Sequence, residues 1–212
     1  MDGPELRLDG PANAALTIAL AHGAGAPMDS PFMASFAGSL AEEGFRVARF
    51  EFPYMAQRRK TGRRSGPDRP PVLLATWRAV IDALGPERLV IGGKSLGGRI
   101  ASMVADDAGV RGLLCLGYPF HPPDKADDQR RIQHLRELRA PCLIVQGERD
   151  PFGSRAEVAN YPLSSAINVH WLGDGDHGFK PRKASGRTED QNLKEALDAI
   201  LAFLARLSRS LP

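Results

Sequence analysis

Leu89-Val90-Ile91-Gly92-Gly93-Lys94-Ser95-Leu96-Gly97-Gly98-Arg99-Ile100-Ala101-Ser102-Met103-Val104 decides how the rest of the chain is read. Three consecutive aliphatic residues without polar alternation, Leu89–Ile91, suit a strand covered on both faces. Glycines then crowd around Ser95, and Ile100, Met103 and Val104 recur at helical spacing. The segment reads as strand, sharp turn, helix. That is the context in which Gly93-x-Ser95-x-Gly97 carries meaning. A serine at the tip of so sharp a turn takes a strained backbone, and side chains two residues to either side would collide. The helix that follows directs its first N–H groups at the serine, where they can bind negative charge.

Working outward, short apolar runs alternate with helical patterns. The other runs are Leu16–Ala21, Arg46–Phe52, Leu113–Leu116, Cys142–Val145 and Ile167–Leu172. Most are nearly continuous in aliphatics. The last alternates Ile167, Val169 and Trp171, as an edge strand does. Ser30-Pro31 is an N-cap with proline at the first helical position. It opens a stripe of Phe32, Met33, Phe36 and Leu40 that Gly44 ends. Leu73, Leu74, Trp77, Val80, Ile81 and Leu84 form another, stopped at Gly85-Pro86. Ser154-x-x-Glu157 and Thr188-x-x-Gln191 are capping boxes, the second opening a helix with Leu193, Leu197, Ile200, Leu204 and Leu207 on one side. This alternation predicts an α/β fold: a mostly parallel sheet with helices on both faces. Glu5–Leu8 adds a candidate antiparallel edge strand. Gln57–Pro71, where charge, Gly and Pro concentrate, reads as a loop.

The 212 residues suit a single domain spanning 1–212. The hydrophobic fraction of 42% and the charged fraction of 25% are those of an ordinary globular protein. A net charge of +3 argues for no nucleic-acid partner by itself. Cys115 and Cys142 lie inside apolar runs and read as buried thiols. No apolar stretch reaches the roughly 20 residues of a membrane helix, and residues 1–5 lack a secretion-signal layout. A cytoplasmic protein without metal or cofactor is expected.

Two further loops follow predicted strands and carry the groups a serine needs. The hydroxyl is a weak nucleophile, so a histidine must take its proton and a carboxylate must orient that histidine. Asp150 lies in Gln146-Gly147-Glu148-Arg149-Asp150-Pro151, after Cys142–Val145. His177 lies in Gly173-Asp174-Gly175-Asp176-His177-Gly178, after Ile167–Leu172. The chain order serine, acid, histidine agrees with that motif. Glu148, Asp174 and Asp176 are rivals for the acid. His121, His134 and His170 read as structural or solvated. The loop His22-Gly23-Ala24-Gly25-Ala26 follows Leu16–Ala21. Its small residues let backbone N–H groups approach a developing oxyanion, with Ala24 and Leu96 as the expected donors. His22 is expected to shape that loop through backbone hydrogen bonds. Lys94 reads first as a surface lysine pointing away; the alternative is a cation that favours acidic substrates. Tyr54, Met55, Tyr118, Phe120, Phe152 and Phe179, just past strand ends, are the candidate pocket lining, with packing beneath the loops as their competing role.

Together, His22-Gly23-Ala24-Gly25, Gly93 to Arg99, Gln146 to Phe152 and Asp176-His177 resemble the small cap-less α/β-hydrolases of the dienelactone-hydrolase-like group. Lys94 in the turn is similar to the branch related to the NSL-complex regulatory subunit and testis-expressed hydrolase-like proteins. The resemblance spans about Leu16 to Leu207. It implies triad roles for Ser95, Asp150 and His177 and oxyanion donors at Ala24 and Leu96. It fixes no substrate, and the branch includes scaffold subunits. Dienelactone hydrolase itself is associated with a cysteine nucleophile, where this chain has serine. The chain is also shorter than the eight-stranded pattern, so a first strand is expected to be missing. The short polar stretch from Phe120 to Leu135 leaves no room for a large lid. The expected function is hydrolysis of small carboxylic esters or thioesters through an acyl-Ser95 intermediate. The alternative is a non-catalytic module whose basic residues from Arg58 to Arg69 grip a phosphate-bearing partner.

Overall fold

A computed structural model describes residues 3–209. Seven strands form one sheet: β1 (Leu6–Asp9), β2 (Thr17–Ala21), β3 (Arg46–Phe50), β4 (Leu89–Lys94), β5 (Gly112–Leu116), β6 (Cys142–Gly147) and β7 (Ile167–Leu172). Their order is β1-β3-β2-β4-β5-β6-β7. Only β1 runs antiparallel, paired with β3 from Leu6 opposite Phe50 to Asp9 opposite Val47. This is the α/β-hydrolase architecture without a large lid that the resemblance implies.

The helices are α1 (Pro31–Glu42), α2 (Pro53–Thr61), α3 (Pro70–Leu84), α4 (Leu96–Ser102), α5 (Ala105–Ala108), α6 (Arg155–Val158) and α7 (Glu189–Arg209). Alternate residues of the central strands feed two cores, because strand side chains point to opposite faces. Ile18 and Leu20 pack with Met33, Phe36 and Leu40 of α1 and Ile200, Phe203 and Leu204 of α7. Ala19 and Ala21 face Trp77, Val80 and Ile81 of α3 and Ile100 of α4. Each large side chain so buried contributes roughly 1.5–3 kcal/mol. Cys115 and Cys142 are buried free thiols.

One element departs from the sequence reading. Gln57–Pro71 is not loop throughout: α2 carries it to Thr61 and ends at Gly62, whose φ of 70° is left-handed. The helix is short and mostly polar. Its buried residues, Tyr54 and Met55, sit in its first turn, so the sequence shows no apolar stripe. Pro53 starts it at a position where the missing N–H costs nothing.

Beside β2 the strand order reverses: β3 and its helix lie on one side and β4 on the other. Loops leaving such a point diverge and open a crevice beyond the C-terminal strand ends. The loops after β2, β4, β5, β6 and β7 all emerge on that edge of the parallel sheet.

Candidate active site

Ser95 caps the N-terminus of α4 with φ 49° and ψ −109°. A non-glycine residue at positive φ stores roughly 1–3 kcal/mol of strain. The neighbours hold it there. Ser95 N–H donates to Leu116 O at 3.0 Å and Ser95 O accepts from Arg99 N–H at 3.0 Å. Gly93 and Gly97 lie directly against the end of β2, where a methyl group would meet Ala21 O at 2.0 and 2.3 Å respectively. The two glycines let the turn sit on the neighbouring strand.

The carboxylate that meets His177 is Asp150. Nδ1–H of His177 donates to Asp150 Oδ2 at 2.7 Å, and Asp150 has no exposed surface. A charge removed from water must be met by donors. Two more serve it: Phe152 N–H reaches Oδ1 at 2.8 Å and Gln146 Nε2 reaches Oδ2 at 3.0 Å. Gln146 is itself fully buried. Its Oε1 accepts from Tyr118 N–H at 2.7 Å, and Nε2 also donates to Tyr118 O and Gly153 O. One amide thus ties the loops after β5 and β6 to the acid. The rival carboxylates are engaged elsewhere. Glu148 pairs with Arg155, Asp174 with Arg149 and Arg182, and Asp176 accepts from Gly178 and Lys180 N–H within its own turn.

His177 and Ser95 flank Gly117. The serine N–H bonds to the residue before it, and a methyl group at Gly117 would stand 3.3 Å from Cε1 of His177. With Nδ1 committed to Asp150, Nε2 is the ring nitrogen left without a partner among the described residues. Among the described residues Ser95 Oγ makes no hydrogen bond, to Nε2 or to any other group. Catalytic hydrogen bonds are often long without substrate, and a serine hydroxyl changes rotamer in picoseconds to nanoseconds.

The loop after β2 closes over the serine. A methyl at Gly23 would lie 3.8 Å from Ser95 Cβ. His22 is buried; its Nδ1 pairs with Gly23 O at 2.7 Å and its Nε2 accepts from Phe52 N–H at 3.1 Å. Burial pushes its pKa down, which suits this neutral, loop-shaping arrangement. Tyr54 Oη donates to Ala24 O at 3.0 Å and Arg58 Nη1 to Gly25 O at 3.2 Å. These residues are i and i+4 on α2, so one helix face holds the loop. Neither Ala24 N–H nor Leu96 N–H has an acceptor among the described residues.

Lys94 does not point away into solvent. Its ammonium donates to the carbonyl oxygen of His177 and lies 5.2 Å from the ring centres of both Phe32 and Phe179. Loss of water lowers its pKa to about 8, against the opposing pull of Asp150 and Asp176. The six candidate lining residues divide. Phe152 keeps surface, with its ring 4.5 Å from that of His177. Tyr54 props the loop after β2. Tyr118, Phe120 and Phe179 have no exposed surface and Met55 has 2%; in this conformation they pack beneath the loops, the competing role for such residues. Gln146 is the functional residue that sequence reasoning missed. A buried glutamine in a strand gives no periodic signal, and its position four residues before Asp150 was the one available hint.

The family pattern described as "Alpha/beta hydrolase domain" matches residues 14–205. Solved structures share the fold at low identity. A member of the a/b serine hydrolases without a lid from Xanthomonas campestris is 20% identical, with a TM-score of 0.68 over 98% of this chain and 90% of that one. An alpha-beta serine hydrolase homologue from Coxiella burnetii is 20% identical, with a TM-score of 0.65 over 100% and 95%. A monoacylglycerol lipase from Paleococcus ferrophilus is 15% identical, with a TM-score of 0.71 over 97% and 100%. With the pattern covering nearly all of its length, this chain belongs to the α/β-hydrolase family.

Proposed function

We propose that the protein is a serine hydrolase that cleaves small carboxylic esters or thioesters in the cytoplasm, within the dienelactone-hydrolase-like group. Ser95 Oγ attacks the acyl carbon while His177 Nε2 takes its proton. The N–H groups of Leu96 and Ala24 hold the oxyanion. The imidazolium then protonates the leaving alcohol or thiol, and the same histidine activates water to release the acyl group from Ser95. Asp150 fixes the Nδ1–H tautomer and stabilises the imidazolium. The observation that carries this reading is the 2.7 Å bond from His177 Nδ1 to a fully buried carboxylate, beside a serine held at positive φ. The absence of a large lid favours small or soluble substrates over membrane-bound lipid.

A fluorophosphonate probe tests it. Wild type should be labelled, and Ser95→Ala should lose the label and the turnover of p-nitrophenyl acetate. Equal labelling of the variant would remove the mechanism. The non-catalytic alternative drew on the basic cluster, but Arg59 is neutralised by Glu51 and Asp29, and Arg58 bonds to the loop of the site itself. Both observations favour a cluster that serves the mouth of this site over an independent phosphate-binding surface.

A further inference from the structure

Lys94 is a half-buried cation adjoining the proposed nucleophile, and the reaction above gives it no task. Its place is closely built. The side chain leaves the end of β4, passes Gly23, where a methyl would stand 3.4 Å from Cγ, and ends beneath Gly117, where a methyl would stand 2.5 Å from Nζ. A larger residue at Gly117 would crowd it, whereas a methyl at Gly23 would only touch it. Phe32 of α1 and Phe179 flank the ammonium, and rings that face a cation offset part of its lost hydration.

What it holds is specific. The turn around His177 has its own hydrogen bonds, from Asp176 N–H to Lys180 O, from Gly178 N–H to Asp176 Oδ1 and from Phe179 N–H to Asp176 O. Each fixes a neighbour of His177. Among the described residues, the carbonyl of His177 itself is held only by Lys94. Asp150 holds the imidazole through Nδ1, and Lys94 holds the backbone from which the ring projects.

We propose that Lys94 is a positioning residue for the reaction: a charged strut that links the residue before the nucleophile to the backbone of the base and sets the spacing between Ser95 Oγ and His177 Nε2. This inference rests on the hydrolase reading of the site. Proton transfer needs that spacing near hydrogen-bond length, and a misplacement of about 1 Å can cost about 100-fold in rate. The serine and the lysine are adjacent, so any movement of the elbow carries the strut, and with it the base, in the same direction. The charged groups facing the ammonium are Asp150, from the loop after β6, and Asp176, from the loop after β7. A proton lost from Lys94 leaves a weaker donor to His177 O, so turnover should decline on the alkaline side near pH 8.

The test is p-nitrophenyl acetate hydrolysis across pH by wild type, Lys94→Met and Lys94→Arg. Lys94→Met should lower kcat by about 10- to 100-fold with KM within about threefold, since alignment and not substrate affinity is lost. The alkaline decline should vanish with the group that causes it. Lys94→Arg keeps a donor that does not lose its proton. It should recover part of kcat and carry no decline near pH 8. Lys94→Met with wild-type kcat and an intact alkaline decline would overturn the proposal, as would a loss confined to KM. If Lys94→Met does not fold, Lys94→Arg decides alone, and an unmoved alkaline decline refutes the strut. Absence of any hydrolysis or probe labelling by wild type would instead overturn the hydrolase reading.

Discussion

Gln146→Glu replaces one nitrogen by oxygen, and its consequences can be worked from three contacts. In the wild type Nε2 faces three acceptors: Asp150 Oδ2 at 3.0 Å, Tyr118 O at 3.2 Å and Gly153 O at 3.2 Å. A carboxyl in that place brings at most one proton where the amide brings two. If it ionises, two carboxylates share a site without water. At a charge separation of about 4 Å and an effective dielectric of about 20, their repulsion is about 4 kcal/mol. That equals about three pH units in the ionisation of the pair, lifting it from the ordinary glutamate value of about 4.3 to roughly 7. The proton belongs to the pair and not to either oxygen.

The sign follows from proton counting. Between about pH 4.3 and 7 the folded variant holds a proton that the unfolded chain has released. Stability therefore falls as pH rises through this window, by up to about 4 kcal/mol, and is fully retained below it. For a chain of this length that is roughly 10 °C in melting temperature. Thermal melts of wild type and Gln146→Glu from pH 4 to 8 should show a gap that widens by about this amount toward alkaline pH. A gap that stays constant across the range would mean that residue 146 does not donate to the acid, and the account of how Asp150 is held would fail.

Two further outcomes are expected. Gly97→Ala should destabilise by about 3 kcal/mol or more in urea unfolding, since its methyl would meet Ala21 O at 2.3 Å and backbone on both sides would have to move. Gly38→Ala, in α1 with nothing within 4 Å of the added carbon, should stabilise by about 0.5–1 kcal/mol, and equal effects at the two sites would refute the steric argument. Arg58 at the rim should make the ratio of kcat/KM for p-nitrophenyl hemiglutarate over p-nitrophenyl butyrate fall as salt is raised, as screened charges do. The fall should be shallower in Arg58→Met, and a flat ratio in wild type would remove the rim from substrate choice.

The sheet was legible because buried parallel strands read as aliphatic runs, and Leu89–Ile91, Leu113–Leu116 and Cys142–Val145 leave little else to be. The elbow was legible because only glycine fits where Gly93 and Gly97 touch β2. Three things were not. α2 buries its first turn alone, so no stripe marks it. The direction of Lys94 depends on Phe32, Phe179 and Gly117, which come from three distant parts of the chain and whose meeting no local pattern encodes. Gln146 works through atoms rather than hydrophobicity, and a glutamine that bridges two backbone segments and a carboxylate looks like any other polar residue at a strand end. For the aromatic residues past strand ends, position alone left lining and packing equally open. Position placed Tyr118 and Phe120 near the edge of the sheet, but they lean inward, with Tyr118 Oη donating to Arg131 O at 2.9 Å.

The site concentrates the features that oppose folding. Ser95 is held at positive φ, Asp150 is a carboxylate without exposed surface, and Lys94 is an ammonium between two phenyl rings. Each is tolerable only where surrounding structure over-determines it. Here, besides the His177 imidazole on Asp150, their partners are strand ends or backbone: Leu116 O for Ser95 N–H, Phe152 N–H and strand-borne Gln146 for Asp150, and His177 O for Lys94. Backbone partners give up little freedom on folding beyond what the sheet already takes, so holding these groups costs less than an equal set of surface side chains would. The turn that carries His177 beyond edge strand β7 is anchored in the same way, by Arg149 N–H to Gly175 O at 2.9 Å and by Asn192 Nδ2 to Phe179 O at 2.7 Å, so the proposed base stands on a turn as firmly held as its partners.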